Sequence, residues 1–235
     1  HQDFRLKHKM TVWENIRYEL LAYTKDYQTE RLETLLKLFR IEHLKDKDIS
    51  LLSGGEKQRV AISRAMAHEP DVLLMDEPFS NLDLGTKSSL LSEIRNIAQA
   101  TQTAILLVTH DTRDALEVGD IVSVLHKGEI IRQGAPKAVY NNPQCEVVAN
   151  LFGPFNLIKK KEFEKFGIVS KADKVGIWPE DLTPVKDGIK AKRVSSTFMG
   201  HYWKQEISIS KHTFTMYANS ESDQLNVQVV DYFDL

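Results

Sequence analysis

Ser53-Gly54-Gly55 stands directly before a segment, Glu56 to His68, whose apolar residues recur at helical spacing. Bare backbone N–H groups, a serine hydroxyl and the positive end of a helix converge there, and this combination suits a phosphate group. The same three residues also make an ordinary serine N-cap with a tight glycine entry. The local pattern alone leaves both interpretations open.

Asp76-Glu77 and His110 each follow a continuous apolar run, Val72 to Met75 and Ala104 to Val108. In open α/β sheets, ligands bind outside the carboxyl ends of strands. Neighbouring residues at a strand end point in different directions, so one carboxylate can hold Mg²⁺ while the other orients or deprotonates a water. An acidic pair at such a place also caps turns, and a lone histidine is usually structural.

Helices and strands alternate around these residues. Helical spacing also runs from Tyr27 to Leu44, and a further helix is expected at Gly85 to Ala100. Continuous apolar strands separated by helices predict a parallel sheet that is covered on both faces. Segments Ile121 to Leu125 and Glu129 to Gln133 flank a Lys127-Gly128 turn, so we expect a hairpin. Gly134 to Pro136 is expected to end this doubly wound sheet.

The pattern changes after a predicted helix at Gln144 to Phe152, where Gly153-Pro154 breaks it. Short segments of alternating polarity follow, as in a small β-barrel or sandwich. We therefore predict an α/β domain over residues 1–152 and a mostly β domain over residues 153–235. The predicted strands are Lys174 to Trp178, Ala191 to Phe198, Trp203 to Ser210, Thr213 to Ala218 and Leu225 to Tyr232.

Composition excludes several classes of protein. The 235 residues are 42% hydrophobic and 27% charged, which is ordinary globular usage. A net charge of −2 with mixed signs argues against a nucleic-acid partner. The single cysteine, Cys145, cannot build a disulfide framework and fits a reducing compartment. Because no apolar run is long enough for a membrane span, membrane contact is expected through a partner.

The run from Leu52 to Ala65, followed by Val72 to Pro78, closely resembles the ATPases of the ATP-binding cassette (ABC) family. This resemblance implies a P-loop NTPase fold with a helical subdomain and the cofactors ATP and Mg²⁺. It makes Asp76 the Walker B residue that holds Mg²⁺ and Glu77 the general base. It also implies that the nucleotide of a neighbouring subunit is contacted by Ser53, Gly54, Gly55 and Glu56.

Three further stretches resemble motifs of the same family in the same order. Pro78 to Asp83 is similar to the D-loop, with Asp83 as its acidic residue and Asn81 where a small residue is common. Val108 to Asp111 is similar to the switch motif, so His110 is expected to sense the γ-phosphate. Gln2-Asp3-Phe4 resembles the Q-loop, which implies that Gln2 reaches the Mg²⁺ and the attacking water and couples them to a transmembrane partner.

None of the eleven glycines belongs to a G-x-x-x-x-G-K-[ST] segment. In the family that phosphate-binding loop precedes the Q-loop, so we expect the chain to be an N-terminally truncated ATPase domain. The loop supplies the phosphate cradle, its lysine and a hydroxyl ligand of Mg²⁺. The chain alone is therefore expected to bind ATP weakly and to lack ATPase activity.

Val175 to Asp181 resembles the Gly-Ile-Arg-Pro-Glu-Asp motif of TOBE domains, small OB-type barrels that follow the ATPase in many bacterial importers. The resemblance points to importers of sugars, polyamines, ferric iron or inorganic anions. Trp178 replaces the usual arginine, which argues against a regulatory ligand at that position. A β domain that only packs and dimerises is the alternative.

Together these resemblances imply the ATP-hydrolysing subunit of a bacterial ABC importer. Its expected partners are a second ATPase subunit, transmembrane permease subunits and, indirectly, a periplasmic or lipoprotein solute-binding protein. The expected location is cytoplasmic, at the inner face of the cell membrane. Two alternatives stay open: a soluble ABC ATPase without a transporter, and a non-enzymatic fragment whose β domain binds an anion or a regulatory protein.

Overall fold

The computed structural model describes residues 6–220 and 224–235, and it divides into two compact units, 1–118 and 119–235. Gln2, predicted to couple the site to a transmembrane partner, lies outside the described residues. The division lies well before the predicted boundary at residues 152/153. That boundary concerns the ATPase and β domains and stays a prediction.

The first unit consists of helices packed against two parallel strands, with a helix between the two strands and another after them. Buried leucine, isoleucine and phenylalanine side chains from the helices form one core with Leu73 and Met75 of the first strand. The elements are α1 Val12–Arg17, α2 Lys25–Leu38, α3 Gly54–Ala65, β1 Val72–Asp76, α4 Leu84–Thr101, β2 Ala104–Val108 and α5 Thr112–Val118.

Strand β1 pairs with β2 in parallel, from Val72 opposite Ala104 to Asp76 opposite Val108. The strands and helix α4 were predicted from sequence within one or two residues. The expectation that the sheet is covered on both faces is wrong for the described chain. Leu74 and Leu106 are 69% and 59% exposed, because the helices cover only the face that carries Leu73 and Met75.

Helix α2 is shorter than the predicted Tyr27 to Leu44. It ends at Leu38, because Arg40 adopts a left-handed backbone with φ of 55° and the Ile41 N–H donates to the Leu36 carbonyl. Such a capping turn satisfies the last carbonyls of a helix. A separate short 3₁₀ turn at Glu42–Leu44 follows. The apolar spacing continues through the turn, which is why periodicity alone extended the helix.

The second unit begins with the predicted hairpin, whose Lys127-Gly128 turn has positive φ at both residues, 49° and 85°. The hairpin forms a two-stranded sheet of its own, and the predicted end of the doubly wound sheet after it stays a prediction. The elements are β3 Val122–His126, β4 Glu129–Gly134, α6 Pro136–Asn141, α7 Glu146–Phe152, β5 Asn156–Lys159, α8 Phe163–Phe166, β6 Lys174–Ile177, β7 Leu182–Val185, β8 Ile189–Phe198, β9 Trp203–Ile209, β10 His212–Ala218, β11 Gln224–Val229 and β12 Phe233–Asp234.

The remaining strands form two antiparallel sheets, ordered β10-β9-β8-β11-β7 and β12-β6-β5. All five predicted strands of this region are present, whereas β5, β7 and β12 were not predicted. Apolar side chains from both sheets share one core, including Ile158, Val175, Ile207 and Val227. The region is consistent with a TOBE-like domain, and closure into a barrel stays a prediction.

Candidate functional site

The first candidate element is the N-terminus of helix α3, where Ser53 is the N-cap. The Glu56 N–H donates to Ser53 Oγ at 3.4 Å, and the Ser53 N–H donates to Glu56 Oε2 at 2.7 Å. This reciprocal pair is a capping box, which satisfies two donors at the helix start. Hydrogen bonds from the Ser53 N–H and hydroxyl hold the pKa of Glu56 below its usual range.

The capping box involves two of the residues predicted to contact nucleotide, and those predicted roles stay predictions. The Ser53 hydroxyl also donates to Glu56 Oε2 at 2.8 Å, so its proton is directed at a side chain of the same helix turn. Glu56 acts here as a cap partner. The N–H groups of Gly54 and Gly55 lie in the first turn, where no intrahelical acceptor exists. Those two backbone donors are what the helix start offers to an anion.

Helix α3 lies close to the beginning of helix α4. A Cβ built on Gly55 would lie 2.7 Å from Thr86 Cγ2, and one on Gly54 would lie 3.5 Å from Leu82 Cδ2. Asp83 caps α4 by accepting the Thr86 N–H at 3.0 Å, and hydrogen bonding from Thr86 lowers the pKa of Asp83. The structure therefore brings the predicted Ser53-Gly54-Gly55 and Asp83 motifs to neighbouring helix starts, with Asp83 in a capping role.

The second candidate element is the carboxyl edge of strands β1 and β2. Asp76 is the last residue of β1 and pairs in register with Val108, two residues before His110. Glu77 has a left-handed backbone, with φ of 47°, and its N–H donates to the Val108 carbonyl at 2.9 Å. This bond pins the turn after β1 to the end of β2.

Glu77 and His110, the predicted base and switch residues, meet at this edge. Glu77 Oε2 lies 2.7 Å from His110 Nδ1. The imidazole side chain is 76% exposed and the Glu77 side chain 30% exposed. The contact occupies Nδ1 and leaves Nε2 for another partner, while Oε1 of the carboxylate is not part of it.

A pocket of about 190 Å³ adjoins the same edge. It lies between one face of α3 and the end of β1, and its lining includes Gln58, Arg64, Asp76, Glu77 and Asn81. The buried amide oxygen of Gln58 accepts no hydrogen bond in the described part of the chain. The pocket places Asp76 and Glu77 beside the helix that begins with the capping box.

An ion-pair cluster next to His110 was not predicted. The Lys87 ammonium of helix α4 lies 2.6 Å from Asp111 Oδ2 and 2.7 Å from Asp114 Oδ1. The lysine side chain is 12% exposed and that of Asp114 5%. The Lys87 hydrogen bond lowers the pKa of Asp111. Lys87 follows Asp83 by four residues, but nothing in that spacing shows that it pairs with the chain after His110.

Two groups of described residues suit different parts of a magnesium nucleotide. Asp76 and Glu77 supply hard oxygen donors at a strand end, and Gly54 and Gly55 supply N–H donors for a phosphate. Within residues 6–220 and 224–235, no set of three or more His, Cys, Asp or Glu side chains is arranged to hold a metal ion. No helix in that part of the chain is long and apolar enough to span a membrane.

Comparisons with known proteins agree with the motifs. The family model described as ABC transporter matches residues 1–80. The spermidine/putrescine import ATP-binding protein PotA of Onion yellows phytoplasma (strain OY-M) is 36% identical over 212 residues, which are 83% of this chain and 51% of that protein. The Fe(3+) ions import ATP-binding protein FbpC of Pasteurella multocida (strain Pm70) is 30% identical over 99% of this chain and 72% of its own length.

Among solved structures, the chain is similar to cbiO1 from Clostridium perfringens, described as part of the ABC transporter complex cbiONQ. The TM-score is 0.56 with 33% identity, and the match covers 59% of this chain and 56% of that one. The chain spans about half the length of the PotA relative that it matches.

Proposed function

Because the chain belongs to the family of ABC transporter ATP-binding proteins, we propose that it is part of the ATP-hydrolysing subunit of a bacterial importer. The observation that carries the proposal is the contact between Glu77 and His110 at the ends of two parallel strands. The relatives are import proteins for spermidine/putrescine and for ferric ions, which supports an importer over a soluble ABC ATPase.

ATP with Mg²⁺ would supply the phosphoanhydride bond and the cation that balances its charge. Asp76 would hold the cation. Glu77 would take a proton from an attacking water, and its contact with His110 Nδ1 would orient the carboxylate. His110 Nε2 is then the ring atom that would meet the γ-phosphate. Gly54 and Gly55 would present their N–H groups to nucleotide held by a second copy.

The proposed partners are a second ATPase subunit and transmembrane permease subunits. A transporter complex is what the description of the cbiO1 structure names for that protein. We place the subunit at the cytoplasmic face of the membrane, where ATP is available, and a solute-binding protein would act on it only through the permease. The predicted role of Gln2 at this interface stays a proposal.

The decisive test uses the full-length subunit assembled with its permease. Glu77→Gln should reduce ATP hydrolysis by at least about 100-fold while ATP binding persists, because a general base contributes about 10²–10⁴. Glu33→Gln on the exposed side of α2 is the matched control. An unchanged rate in the Glu77 variant would remove it as the base.

The chain as it stands should show no magnesium-dependent ATPase activity, because its sequence contains no G-x-x-x-x-G-K-[ST] segment. Phosphate release by the purified chain measures this directly. Turnover that Glu77→Gln abolishes would overturn the prediction. Failure of the full-length subunit to co-purify with a permease would instead favour a soluble ABC ATPase.

A further inference from the structure

We propose that the second unit contains a binding site for a small organic cation, an alkylated or primary ammonium group, in an aromatic pocket beside Glu180. The pocket has a volume of about 320 Å³, at the lower end of the range for small-molecule sites. Its wall includes Tyr140, Phe152, Pro154, Trp178, Glu180 and Tyr217. The proposal does not depend on the ATPase function.

The aromatic rings are fixed in place by one another. Tyr140 stacks on Trp178 with ring centroids 4.7 Å apart and an interplanar angle of 14°, and Phe152 meets Tyr140 edge-on at 5.6 Å. Trp178 is only 4% exposed and its indole N–H has no acceptor among the described residues. Packing against Tyr140, Phe155 and Phe233 therefore determines where that ring lies.

The charge around the pocket is negative. Glu180 lines the pocket. The neighbouring Asp181 has a pKa raised to about 6, chiefly by burial and then by the negative charges of Glu180 and Asp231. No lysine, arginine or histidine is among the lining residues. Neither Glu180 nor Asp181 forms a salt bridge within the described chain.

These features select the class of ligand. Aromatic faces attract cations through the ring quadrupole, and the attraction is stronger when the cation is desolvated in a pocket. The Glu180 carboxylate accepts the Tyr140 hydroxyl proton in a hydrogen bond, and burial together with this bond raises the pKa of Tyr140, so the phenol stays neutral. An anion would face Glu180 without a basic partner, whereas an ammonium group is balanced by it.

The test follows the indole resonances of the three tryptophans, Trp13, Trp178 and Trp203, by NMR during titration with tetramethylammonium chloride. Sodium chloride at equal ionic strength and sodium acetate are the reference titrations. We expect a saturable shift of the Trp178 resonance with tetramethylammonium alone, while the Trp13 and Trp203 resonances stay in place. A shift that does not saturate, or that sodium chloride or acetate reproduces, would overturn the proposal.

Two variants distinguish the contribution of the Glu180 charge to binding from that of the Tyr140 ring. Glu180→Gln retains an acceptor for the Tyr140 hydroxyl and should weaken binding at least fivefold. Glu164→Gln, at an exposed position of helix α8, should leave binding unchanged. Tyr140→Phe keeps the ring and should bind as well as the parent. Equal affinity in the Glu180 variant, or loss of binding in Tyr140→Phe alone, would contradict a cation site. Both substitutions preserve side-chain volume, so the β-sheet amide spectrum should remain that of the parent.

Discussion

Lys87 is the residue that ties the start of helix α4 to the chain after His110. Its ammonium bridges Asp111 and the nearly buried Asp114, and Thr109 Oγ1 donates to the second Asp114 oxygen at 3.2 Å. Because Asp111 directly follows His110, the cluster anchors the segment on which the Glu77 contact depends. Removing the lysine from such a cluster is strongly destabilising, because it leaves poorly hydrated carboxylates without a counter-ion.

Lys87→Met should therefore lower the free energy of unfolding by about 2–4 kcal/mol, somewhat under the full penalty for a buried pair because Asp111 is partly exposed. Urea unfolding at pH 7 measures the loss. Lys87→Arg keeps the charge and should lose no more than about 1 kcal/mol. Adding Asp114→Asn to Lys87→Met should recover part of the stability. A loss in Lys87→Met as small as in the arginine variant would show that the ion pairs contribute little.

Asp181 is a second residue with a measurable effect, and its effect depends on pH. Its folded-state pKa is raised from near 3.8 to about 6, chiefly by burial and then by Glu180 and Asp231. Between about pH 4 and pH 6, Asp181 thus stays protonated in the folded protein, whereas the same carboxyl group is ionised in the unfolded chain. The contribution of Asp181 to the free energy of unfolding therefore falls as pH rises from about 4 to about 6. Above that range the ionised carboxylate lowers the free energy of unfolding by a constant amount.

Asp181→Asn should raise the free energy of unfolding at pH 7 by about 1 kcal/mol, a value discounted from the full shift because the side chain is partly exposed. The gain should shrink between pH 6 and pH 4, where the parent carboxylate becomes protonated. Urea unfolding across that range measures it, with the exposed Asp187→Asn as control. A gain that persists undiminished at pH 4 would contradict this account.

At the scale of the elements, the close approach of helices α3 and α4 explains why a glycine occupies position 55. A methyl group there would lie 2.7 Å from Thr86 Cγ2, well inside van der Waals contact. Threonine in a helix has few rotamers, so the clash cannot be relieved freely. The packing of these two helix starts depends on the absence of a side chain at Gly55.

Gly55→Ala should destabilise the chain by about 1–2 kcal/mol, because overpacking costs more than the better helix propensity of alanine returns. Thermal unfolding measures the change. Thr86→Ser removes the methyl group, so combining it with Gly55→Ala should restore most of the stability. The control is Gly85→Ala, where a Cβ would meet no atom closer than 3.5 Å. Additive losses in the double variant would show that the two residues do not compete for space.

Most elements could be predicted from the sequence, because their signals are local. Strands β1 and β2 are continuous apolar runs, and Ser53 with Glu56 is a capping-box pattern that reads directly as a helix start. The end of α2 was predicted too late in the sequence. Arg40 adopts a left-handed backbone, and an arginine gives no sequence signal for that conformation. Strands β7 and β12 have four and two residues, too few for an alternation to be recognised.

The site divides in the same way. The positions of Asp76, Glu77 and His110 at or after strand ends could be predicted from apolar runs and motif order, and Glu77 contacts His110. Their catalytic roles stay predictions. The Lys87 cluster and the pocket beside Glu180 could not be predicted. Both join residues that are far apart in sequence, 24 positions for Lys87 and Asp111 and 40 for Tyr140 and Glu180, and only tertiary packing pairs them.

At the scale of the whole molecule, one face of the parallel sheet carries exposed apolar side chains in the described part of the chain. Leu74 and Leu106 are directly opposite each other in register, and Val72 and Val108 extend the same exposed strip. Contiguous apolar surface of this kind favours association between molecules. A net charge of only −2 over 235 residues provides little electrostatic repulsion against it.

Leu74→Thr with Leu106→Thr should therefore reduce self-association of the chain and leave its stability nearly unchanged, within about 0.5 kcal/mol, as for other exposed positions. Threonine retains good strand propensity, so the sheet itself should persist. Sedimentation velocity over a range of concentrations measures association, and urea unfolding measures stability.

Leu73→Thr on the covered face of the same strand is the matched control. Leu73 is 8% exposed, and its substitution removes buried apolar volume and buries a hydroxyl, so it should cost about 2–4 kcal/mol. If Leu74→Thr lowers the free energy of unfolding as much as Leu73→Thr does, the apolar strip is buried in solution and is not exposed in the free chain. If the Leu73 variant loses much more stability than the Leu74 variant but self-association does not change, the surface that drives association lies elsewhere on the molecule.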